Sequence, residues 1–359
     1  MNSLGDELDS HPASRTQNSQ PAGIGRVVAL GELAAWNNLG RNVVFADRDL
    51  RPRAVFDDTL YPEDDELSQY DLDVHAIVDV PGADLVLTLN HLGSLRAFRS
   101  SEIPMRGPLR RLNPIWTRVF AEDVERAVVV GDRLVGSCPR SAGALGLLVS
   151  EPLGQSARCE PVATLAELET WGEVTALAAV PPDGGPDLAV GGVGRISLVP
   201  LVDGTAGSAR WDVEVPFRTA AFAWDGGVLW AAGSGLSAAV GDYEWEKVRG
   251  GGFVALDPAD GRVLASGPLA DDIAWGNGGV AFVVLGGLPC GIARTGELHV
   301  ARGDDESGWR RSAPVATSSL GIAHAAIVAD RLLYGFNRGG YMLRAVVGPA
   351  IRRLAGSGT

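Results

Sequence analysis

Residues 126–149 have the sequence RAVVVGDRLVGSCPRSAGALGLLV. A polar residue, Arg126, opens an apolar run that ends in a turn signal at Gly131 and Asp132. A second apolar run follows, and Gly143 leads a third. Short apolar runs bounded by Gly and Asp are typical of β-strands joined by tight turns. The stretch therefore predicts three consecutive strands of one antiparallel sheet.

The same unit recurs along almost the whole chain, at intervals of about 43 to 53 residues. A repeat of this size indicates a radial fold, in which each sheet stacks on the next because a single sheet cannot bury its faces. The predicted starts of the inner strands are Glu32, His75, Arg126, Thr175, Thr219, Asp272 and His324. The sequence therefore predicts an all-β fold, a seven-bladed β-propeller of four-stranded antiparallel blades.

The first repeat has one strand too many for this scheme. Three strands follow Glu32, and residues 26–30 (RVVAL) precede them. An extra N-terminal strand commonly completes the last blade of a propeller, because this removes an exposed sheet edge. We therefore expect residues 26–30 to pair with the blade that begins at His324. Residues 1–22 are expected to be a disordered tail, and residues 23–359 a single propeller domain.

Helix is expected only as a turn or two at Ala163–Glu169. Two connections between a second and a third strand are long, which predicts insertions near residues 234–250 and 285–295. The second insertion contains Cys290, which we expect to be a buried small apolar residue rather than a nucleophile, since no histidine partner is identifiable.

The longer insertion, residues 233–250, ends in an aromatic and acidic cluster that includes Tyr243 and Trp245. One interpretation is a lid or a partner-binding loop, because long connections in compact folds tend to be functional. The other is that the two aromatic side chains pack the insertion against the disc. The sequence leaves both interpretations open.

The overall charge restricts the partners. The chain has 44 acidic and 31 basic residues and a net charge of −13. Such a surface repels phosphate backbones and anionic lipid headgroups, so neither nucleic acid nor membrane is an expected partner. Three cysteines in three different repeats form no disulfide framework, and no signal-peptide pattern or long apolar run is found. These features favour a cytoplasmic protein.

The predicted inner-strand starts are expected to surround the mouth of the central channel. Five of the seven are ionisable, and convergent polar groups in a concave mouth are typical of a small-ligand site. Arg126 is the candidate anion-binding group, with Asp272 or Glu32 and a histidine as acid and base. The candidate catalytic residues are His75, Arg126, Asp272 and His324, and the candidate ligand-binding residues are Glu32, Thr175, Thr219, Tyr243 and Trp245. The other interpretation is that these groups line a water-filled channel.

No metal and no cofactor are predicted. Metal ligation by His75 and His324 is conceivable, but solvated or hydrogen-bonded histidines are favoured. Residues 57–73 contain eight carboxylates yet lack the fixed glycine of a calcium loop, which favours a solvated acidic loop. This loop and residues 233–250 are the candidate surfaces for a protein partner.

Residues 252–264, GFVALDPADGRVL, resemble the blade signature of quinoprotein-like and related bacterial propellers, in which a strand ends in Leu-Asp and turns through Asp-Gly. The resemblance implies a propeller, but the quinone cofactor is not expected, since quinoproteins are exported enzymes. The architecture is also similar to that of cytoplasmic seven-bladed lactonases. We therefore predict a propeller that binds a small polar ligand at the channel mouth, as an enzyme of lactonase, lyase or cyclase type. The alternative is a non-catalytic interaction scaffold.

Overall fold

The protein is represented by a computed structural model. It describes residues 8–12, 24–38, 42–48, 51–57, 74–80, 82–90, 93–120, 124, 126–141, 144–153, 161–164, 174–180, 187–236, 251–269, 281–293, 296–301, 309–312, 322–336 and 342–355.

The described residues form 29 strands, one α-helix and a short 3₁₀ turn at Ser100–Glu102. The elements are β1 (Leu8–Pro12), β2 (Ile24–Leu30), β3 (Leu33–Asn38), β4 (Asn42–Ala46), β5 (Pro52–Asp57), β6 (Val74–Val80), β7 (Leu85–Asn90), β8 (Ser94–Phe98), β9 (Arg110–Arg111), β10 (Trp116–Val119), β11 (Arg126–Val130), β12 (Arg133–Ser141), β13 (Ala144–Ser150), β14 (Pro161–Thr164), β15 (Ala176–Val180), β16 (Asp187–Gly191), β17 (Val193–Val202), β18 (Thr205–Ala206), β19 (Trp211–Asp225), β20 (Val228–Gly235), β21 (Gly252–Leu256), β22 (Val263–Pro268), β23 (Phe282–Leu285), β24 (Leu288–Ile292), β25 (Leu298–Ala301), β26 (Trp309–Arg311), β27 (Ile322–Val328), β28 (Arg331–Phe336), β29 (Met342–Val347) and α1 (Gly348–Ala355).

Strands that follow one another in sequence lie side by side. This holds for β6-β7-β8-β10, β11-β12-β13-β14, β23-β24-β25-β26 and β27-β28-β29, and for β15-β16-β17 and β19-β20-β21-β22. Neighbouring strands pair in antiparallel orientation, as β11 does with β12 and β28 with β29, whereas β9 lies parallel to β5. Many of the hairpins have two-residue turns. Positive φ in such a turn gives the backbone a twist that matches that of the flanking strands. Gly31, with φ 61°, provides such a turn between β2 and β3.

The strand that completes the last sheet is not the predicted one. Residues 26–30 belong to β2, which heads the sheet β2-β3-β4-β5-β9. The outer position beside β29 is occupied by β1, in antiparallel register from Leu8 opposite Val346 to Pro12 opposite Met342. The prediction failed because nothing local in a strand specifies a partner more than 300 residues away. Apart from β1, the expected tail of residues 1–22 lies outside the described residues.

The sixth repeat is also shifted relative to the prediction. The inner strand of this repeat was expected to start at Asp272, but the first strand of the described sheet is β23, which starts at Phe282. The predicted insertion at residues 285–295 contains the second strand, β24. Gly286 and Gly287 have φ of 56° and 77° and form the two-residue turn between β23 and β24. The segment that was expected to be an insertion therefore begins with a hairpin turn.

The prediction for helix was wrong in two described segments, one at residues 163–164 and one at the end of the last sheet. Ala163 and Thr164 end strand β14 instead of starting a helical turn. The helix α1 follows β29 at Gly348, and Ile351 and Ala355 are buried on one of its faces. Pro349 is at the first turn of α1, where a missing N–H does not disrupt the helix.

The chain divides into two compact units: residues 30–192 with 197–212, and residues 1–29 with 193–196 and 213–359. Each unit has its own apolar core. In the first, side chains of the β6-β7-β8 sheet, such as Leu87 and Leu95, pack with Leu134 of β12. In the second, Ile292 and Leu332 pack with Ile351 of α1. Each such fully buried side chain contributes roughly 1.5–3 kcal/mol through removal of apolar surface from water.

Candidate functional site

Two of the predicted ring residues contact each other. Arg126 begins β11, and Thr175 immediately precedes β15. The Nε atom of Arg126 donates a hydrogen bond of 3.2 Å to the backbone carbonyl of Thr175. The hydroxyl of Thr175, a buried residue, donates to the carbonyl of Gly191 at 3.2 Å. These bonds tie neighbouring strands to one another, so both side chains have structural roles.

Thr219 lies at a β-bulge. The register between β19 and β20 shifts between Thr219 and Ala221, and the backbone approaches so closely that a Cβ on Gly233 would lie 1.8 Å from the carbonyl oxygen of Arg218. Only glycine fits there. The Thr219 hydroxyl is fully buried and has no hydrogen-bond partner among the described residues. A buried polar group in that condition costs about 1–3 kcal/mol.

The two histidine positions also coincide with register irregularities. The pairing of β6 with β7 shifts between Val74 and Ala76, and that of β27 with β28 shifts between Ile322 and Ala325. Bulges redirect side chains and are frequent beside functional sites. His75 and His324 therefore lie within two irregular stretches of strand, and their side chains lie outside what the structure describes.

Of the two remaining ring residues, Glu32 and Asp272, the structure describes only Glu32. Glu32 is exposed in the two-residue turn between β2 and β3, so it does not begin an inner strand. Its prediction failed because β2 was assigned to another sheet. The structure does not describe Asp272, nor the two aromatic residues of the longer insertion, Tyr243 and Trp245. Residues 58–73 of the acidic loop also lie outside the described residues.

A second surface was missed by the sequence analysis. We name it the arginine surface and define it by the exposed side chains Met105, Arg106, Leu109, Arg110, Arg111 and Ile115. The three apolar side chains are 45%, 55% and 39% exposed. No acidic residue occurs between Glu102 and Phe120, although the chain as a whole is acidic. A stretch that contains arginines and no acidic residue, within an acidic chain, is the sequence signal from which this surface could have been predicted.

The arginine surface belongs to a well-anchored segment. Ile103 and Leu112 are buried and hold the segment to the protein at two points. Strand β9 lies parallel to β5, with the N–H of Leu112 donating to the carbonyl of Val55 at 2.8 Å. The N–H of Ile115 donates to the carbonyl of Ala97 at 2.8 Å. The segment therefore presents its exposed side chains from a fixed backbone.

An ion pair braces the turn in this segment. Arg53 pairs with Asp47 through its Nε atom at 2.9 Å and through Nη2, and both side chains are largely buried. The Nη1 atom of Arg53 donates to the carbonyl of Gly107 at 3.0 Å. Asp47 also accepts from the N–H of Arg51 at 3.0 Å. Because Asp47 fixes the guanidinium of Arg53, that group holds the loop beside Arg106 in place.

The charges at the start of the segment are already paired, whereas the described residues provide no ion pair for the charges of the arginine surface. Asp84 accepts from the hydroxyl of Ser100 at 2.7 Å and from the N–H of Ser101 at 2.6 Å, and it pairs with Arg99. Hydrogen bonds from Ser101 and Ser100 lower the pKa of Asp84 to about 2. In contrast, Arg106, Arg110 and Arg111 make no ion pair or side-chain hydrogen bond with the described parts of the chain.

Cys290 has the environment that the sequence predicted. Its side chain is completely buried in β24, and its thiol is free. Burial raises the pKa of the thiol to about 12. A thiol held in its neutral form and away from solvent is a poor nucleophile, so the expectation of a small apolar residue is confirmed.

No set of three or more His, Cys, Asp or Glu side chains within the described ranges is placed to hold a metal ion. No helix in the same part of the chain is long and apolar enough to cross a membrane.

Comparison with known proteins identifies the fold. No protein-family model matches the chain, and no curated protein matches it significantly in sequence. Solved structures do match it. The WD40 domain of Pan2 from Neurospora crassa is 11% identical with a TM-score of 0.63, covering 95% of this chain and 96% of that one. The WD40 β-propeller domain of Doa1 is 11% identical with a TM-score of 0.58, covering 93% and 96% of the two chains.

BamB from Moraxella catarrhalis gives a third match. It is 12% identical with a TM-score of 0.51 and covers 94% of this chain and 97% of that chain. At such identities the similarity concerns the fold alone. The strands described above, paired in sequence order in antiparallel sheets, agree with it. The chain is therefore nearly all β and has a β-propeller fold.

Proposed function

We propose that the protein is a non-catalytic interaction scaffold built on a seven-bladed β-propeller. The observation that supports the scaffold function is the arginine surface. Exposed apolar side chains occur there on one braced segment, together with guanidinium groups that have no ion-pair partner among the described residues. Clustered exposed apolar side chains on a soluble protein commonly mark an interaction site. Arginine and methionine are enriched at protein interfaces, while lysine and acidic residues are depleted there.

We assign all described strands except β9 and β18 to seven blades. Five groups of four are β2-β3-β4-β5, β6-β7-β8-β10, β11-β12-β13-β14, β23-β24-β25-β26 and β27-β28-β29-β1. We assign the other two blades to the long strand β19. Its residues Phe217–Asp225 pair with β20 and begin the group that ends in β22, and its earlier residues complete β15-β16-β17. An experimental structure with six or eight blades would contradict this assignment.

The described part of the predicted ring supports a scaffold better than an acid–base enzyme. Arg126 and Thr175 donate their hydrogen bonds to backbone carbonyls. Glu32, one of the two proposed carboxylates, lies in an exposed turn instead of at a strand start. General acid–base catalysis needs both groups within hydrogen-bond reach of one substrate. The arginine surface, in contrast, is exposed as it stands, so it can contact a partner without any change of structure.

Site-directed photo-crosslinking tests the scaffold function. A photoreactive amino acid is placed at Leu109, and a control is placed at Val263, which is exposed to a similar extent on β22. We expect a discrete adduct from the Leu109 position in cells of the source organism. The identified partner, purified separately, should form a complex with the purified protein. Failure to reconstitute a complex with any crosslinked protein would contradict the proposal.

A second candidate function is binding of a small polar ligand at the channel mouth, with an enzyme of lactonase, lyase or cyclase type as its catalytic form. The observation that favours it is the pair of register shifts at His75 and His324, together with the buried hydroxyl of Thr219. A metabolite that raises the melting temperature of the wild-type protein, but not that of His75→Ala or His324→Ala, would support this function. A ligand at 100 times its dissociation constant adds about 2.7 kcal/mol of stability.

We also propose that the protein acts in the cytoplasm. The acidic composition and the scattered cysteines support this location, as does the free thiol of Cys290. Fractionation of source cells with antibodies against the native protein tests it. Recovery outside the cytoplasmic fraction would contradict it.

A further inference from the structure

We propose that the arginine surface binds an acidic, extended peptide segment that carries apolar side chains and belongs to a partner protein. This inference rests on the scaffold function proposed above and specifies the chemistry of the partner. Its basis is the coincidence on one segment of three guanidinium groups, at Arg106, Arg110 and Arg111, with the exposed apolar side chains of Met105 and Leu109.

Charge selects the class of partner. The described parts of the chain provide no ion-pair partner for the three arginines, and each guanidinium has five N–H donors that suit a carboxylate. Guanidinium groups bind carboxylates in a planar, bidentate geometry. The chain has a net charge of −13. A long polyanion such as nucleic acid extends beyond the arginine surface and is repelled by the rest of the acidic protein. A short acidic peptide contacts the arginines without extending to the parts of the protein whose negative charge repels it.

The apolar side chains add a second requirement. Leu109 is 55% exposed and stands next to Arg110 in sequence, and Ile115 is exposed beyond β9. Burial of apolar area drives association, whereas exposed ion pairs contribute mainly specificity and association rate. The partner segment therefore needs apolar side chains between its carboxylates, because a purely acidic peptide leaves Met105 and Leu109 in water.

The edge strand beside the surface limits how the peptide docks. β9 is the last strand of its sheet and is two residues long. Pro108 and Pro114 flank it, and proline cannot donate to a further strand. The peptide is therefore recognised through side chains, not by extension of the sheet. The brace from Arg53 to the carbonyl of Gly107 keeps the turn fixed before binding, which lowers the entropic cost of association.

Fluorescence anisotropy with the full chain tests the inference. The probe is a labelled peptide of about 15 residues in which glutamates alternate with leucines and tyrosines. We expect saturable binding that weakens as salt is raised, as for other contacts between exposed charges. A peptide with serine in place of the leucines and tyrosines should bind at least tenfold more weakly. Equal binding of the two peptides would overturn the requirement for apolar side chains.

Matched variants locate the site. Arg110→Glu with Arg111→Glu should weaken binding of the probe at least tenfold, and Leu109→Ser several-fold. The control is Arg310→Glu with Arg311→Glu, a second exposed pair of adjacent arginines, on β26, which should change the affinity less than twofold. Circular dichroism and melting curves verify that each variant is folded. An equal loss in both double variants, or no loss in either, would overturn the assignment to the arginine surface.

Other occupants give different results. If the chain's own acidic residues 58–73 occupy the surface, the probe binds only after their replacement by a Gly-Ser linker, and a partner peptide is excluded. If two copies of the chain meet there, light scattering shows a dimer that the double variant at Arg110 and Arg111 dissociates. Single-stranded RNA that binds as tightly as the probe would also overturn the inference.

The inference and the scaffold function fail in different ways. If the partner found by crosslinking still binds the double variant at Arg110 and Arg111 with unchanged affinity, the acidic-peptide site is wrong and the scaffold function remains. If no crosslinked protein reconstitutes a complex and the probe does not bind, both are wrong.

Discussion

The guanidinium of Arg126 and the backbone carbonyl of Thr175 lie 3.2 Å apart, joined by a hydrogen bond from Nε. The two residues are 49 positions apart and occupy equivalent places in consecutive repeats. The bond therefore connects the start of one repeat unit to the start of the next. The candidate anion-binding side chain thus also connects two repeats, through its Nε atom.

Replacement of Arg126 tests this structural role. We expect Arg126→Ala to lower the free energy of unfolding by about 1 kcal/mol, because the carbonyl of Thr175 loses a charged donor in a partly buried place. Thr175→Ser preserves the carbonyl and provides the control, with a smaller loss. Thermal melting of the purified variants measures both. Unchanged stability of Arg126→Ala together with loss of a ligand would instead favour the small-ligand function.

Backbone conformation at equivalent turns gives a second prediction. Gly31 and Ala329 have φ of 61° and 54° and each begins a two-residue turn before the second strand of a sheet. A residue with a Cβ is strained in this region by roughly 1–2 kcal/mol. We expect Gly31→Ala to destabilise the protein by about 1 kcal/mol, although open space surrounds the site. Ala329→Gly should stabilise it or leave it unchanged, since glycine relieves the strain but makes the unfolded chain more flexible.

Melting temperatures of both variants are compared with that of the wild type. Destabilisation by both substitutions would contradict the assignment of strain at Ala329. Stabilisation by Gly31→Ala would contradict the left-handed conformation at Gly31.

Much of the strand pattern was predictable from the sequence, because alternation of apolar runs and turn residues is a local property. The three consecutive strands expected within residues 126–149 are β11, β12 and β13. The phase of the repeat was not always predictable. Whether the pair Gly286-Gly287 is a tight turn or part of an insertion depends on which strands pair, and pairing is decided by packing rather than by the turn sequence.

The candidate site was less predictable than the fold. The ring was derived from a single inner-strand alignment, so an error in phase moved Glu32 from a strand start to an exposed turn. The arginine surface was not predicted because its three arginines, within residues 106–111, are interrupted by apolar residues and glycine and form no compact basic block. Their exposure depends on the anchoring of Ile103 and Leu112, which only the three-dimensional structure shows.

Two related turns give a third prediction. Asp47 follows β4 and pairs with Arg53, and Asp257 follows β21 and pairs with Arg262 at 3.2 Å. The first pair is largely buried, whereas the Arg262 side chain is 65% exposed. Removal of one partner of a buried pair costs about 3–5 kcal/mol, but an exposed pair contributes about 0–1 kcal/mol.

Asp47→Ala should therefore lower the free energy of unfolding much more than Asp257→Ala does. It should also weaken any partner that binds the arginine surface, because Arg53 then no longer holds the carbonyl of Gly107 in place. Denaturant unfolding and the anisotropy assay measure the two effects. Similar losses for the two variants would show that burial of the Asp47 pair is not the deciding factor.

The last prediction concerns the dependence of stability on pH. Hydrogen bonds from Ser101 and Ser100 lower the pKa of Asp84 to about 2, below the ordinary value of about 3.9. The folded state therefore favours the carboxylate. Asp84 stabilises the fold above pH 4, and this contribution is lost as the pH falls from about 4 to about 2. Burial has the opposite effect on Asp79, since desolvation raises the pKa of its carboxyl.

Urea unfolding of Asp84→Asn and Asp79→Asn between pH 2 and pH 7 measures these contributions. Asp84→Asn should be less stable than the wild type at pH 7, and the difference should disappear near pH 2. Asp79→Asn should gain stability relative to the wild type as the pH rises above 4, because the wild type must then bury a charge. A pH-independent difference for Asp84→Asn would mean that its hydrogen bonds to Ser100 and Ser101 do not depend on the charge of the carboxylate.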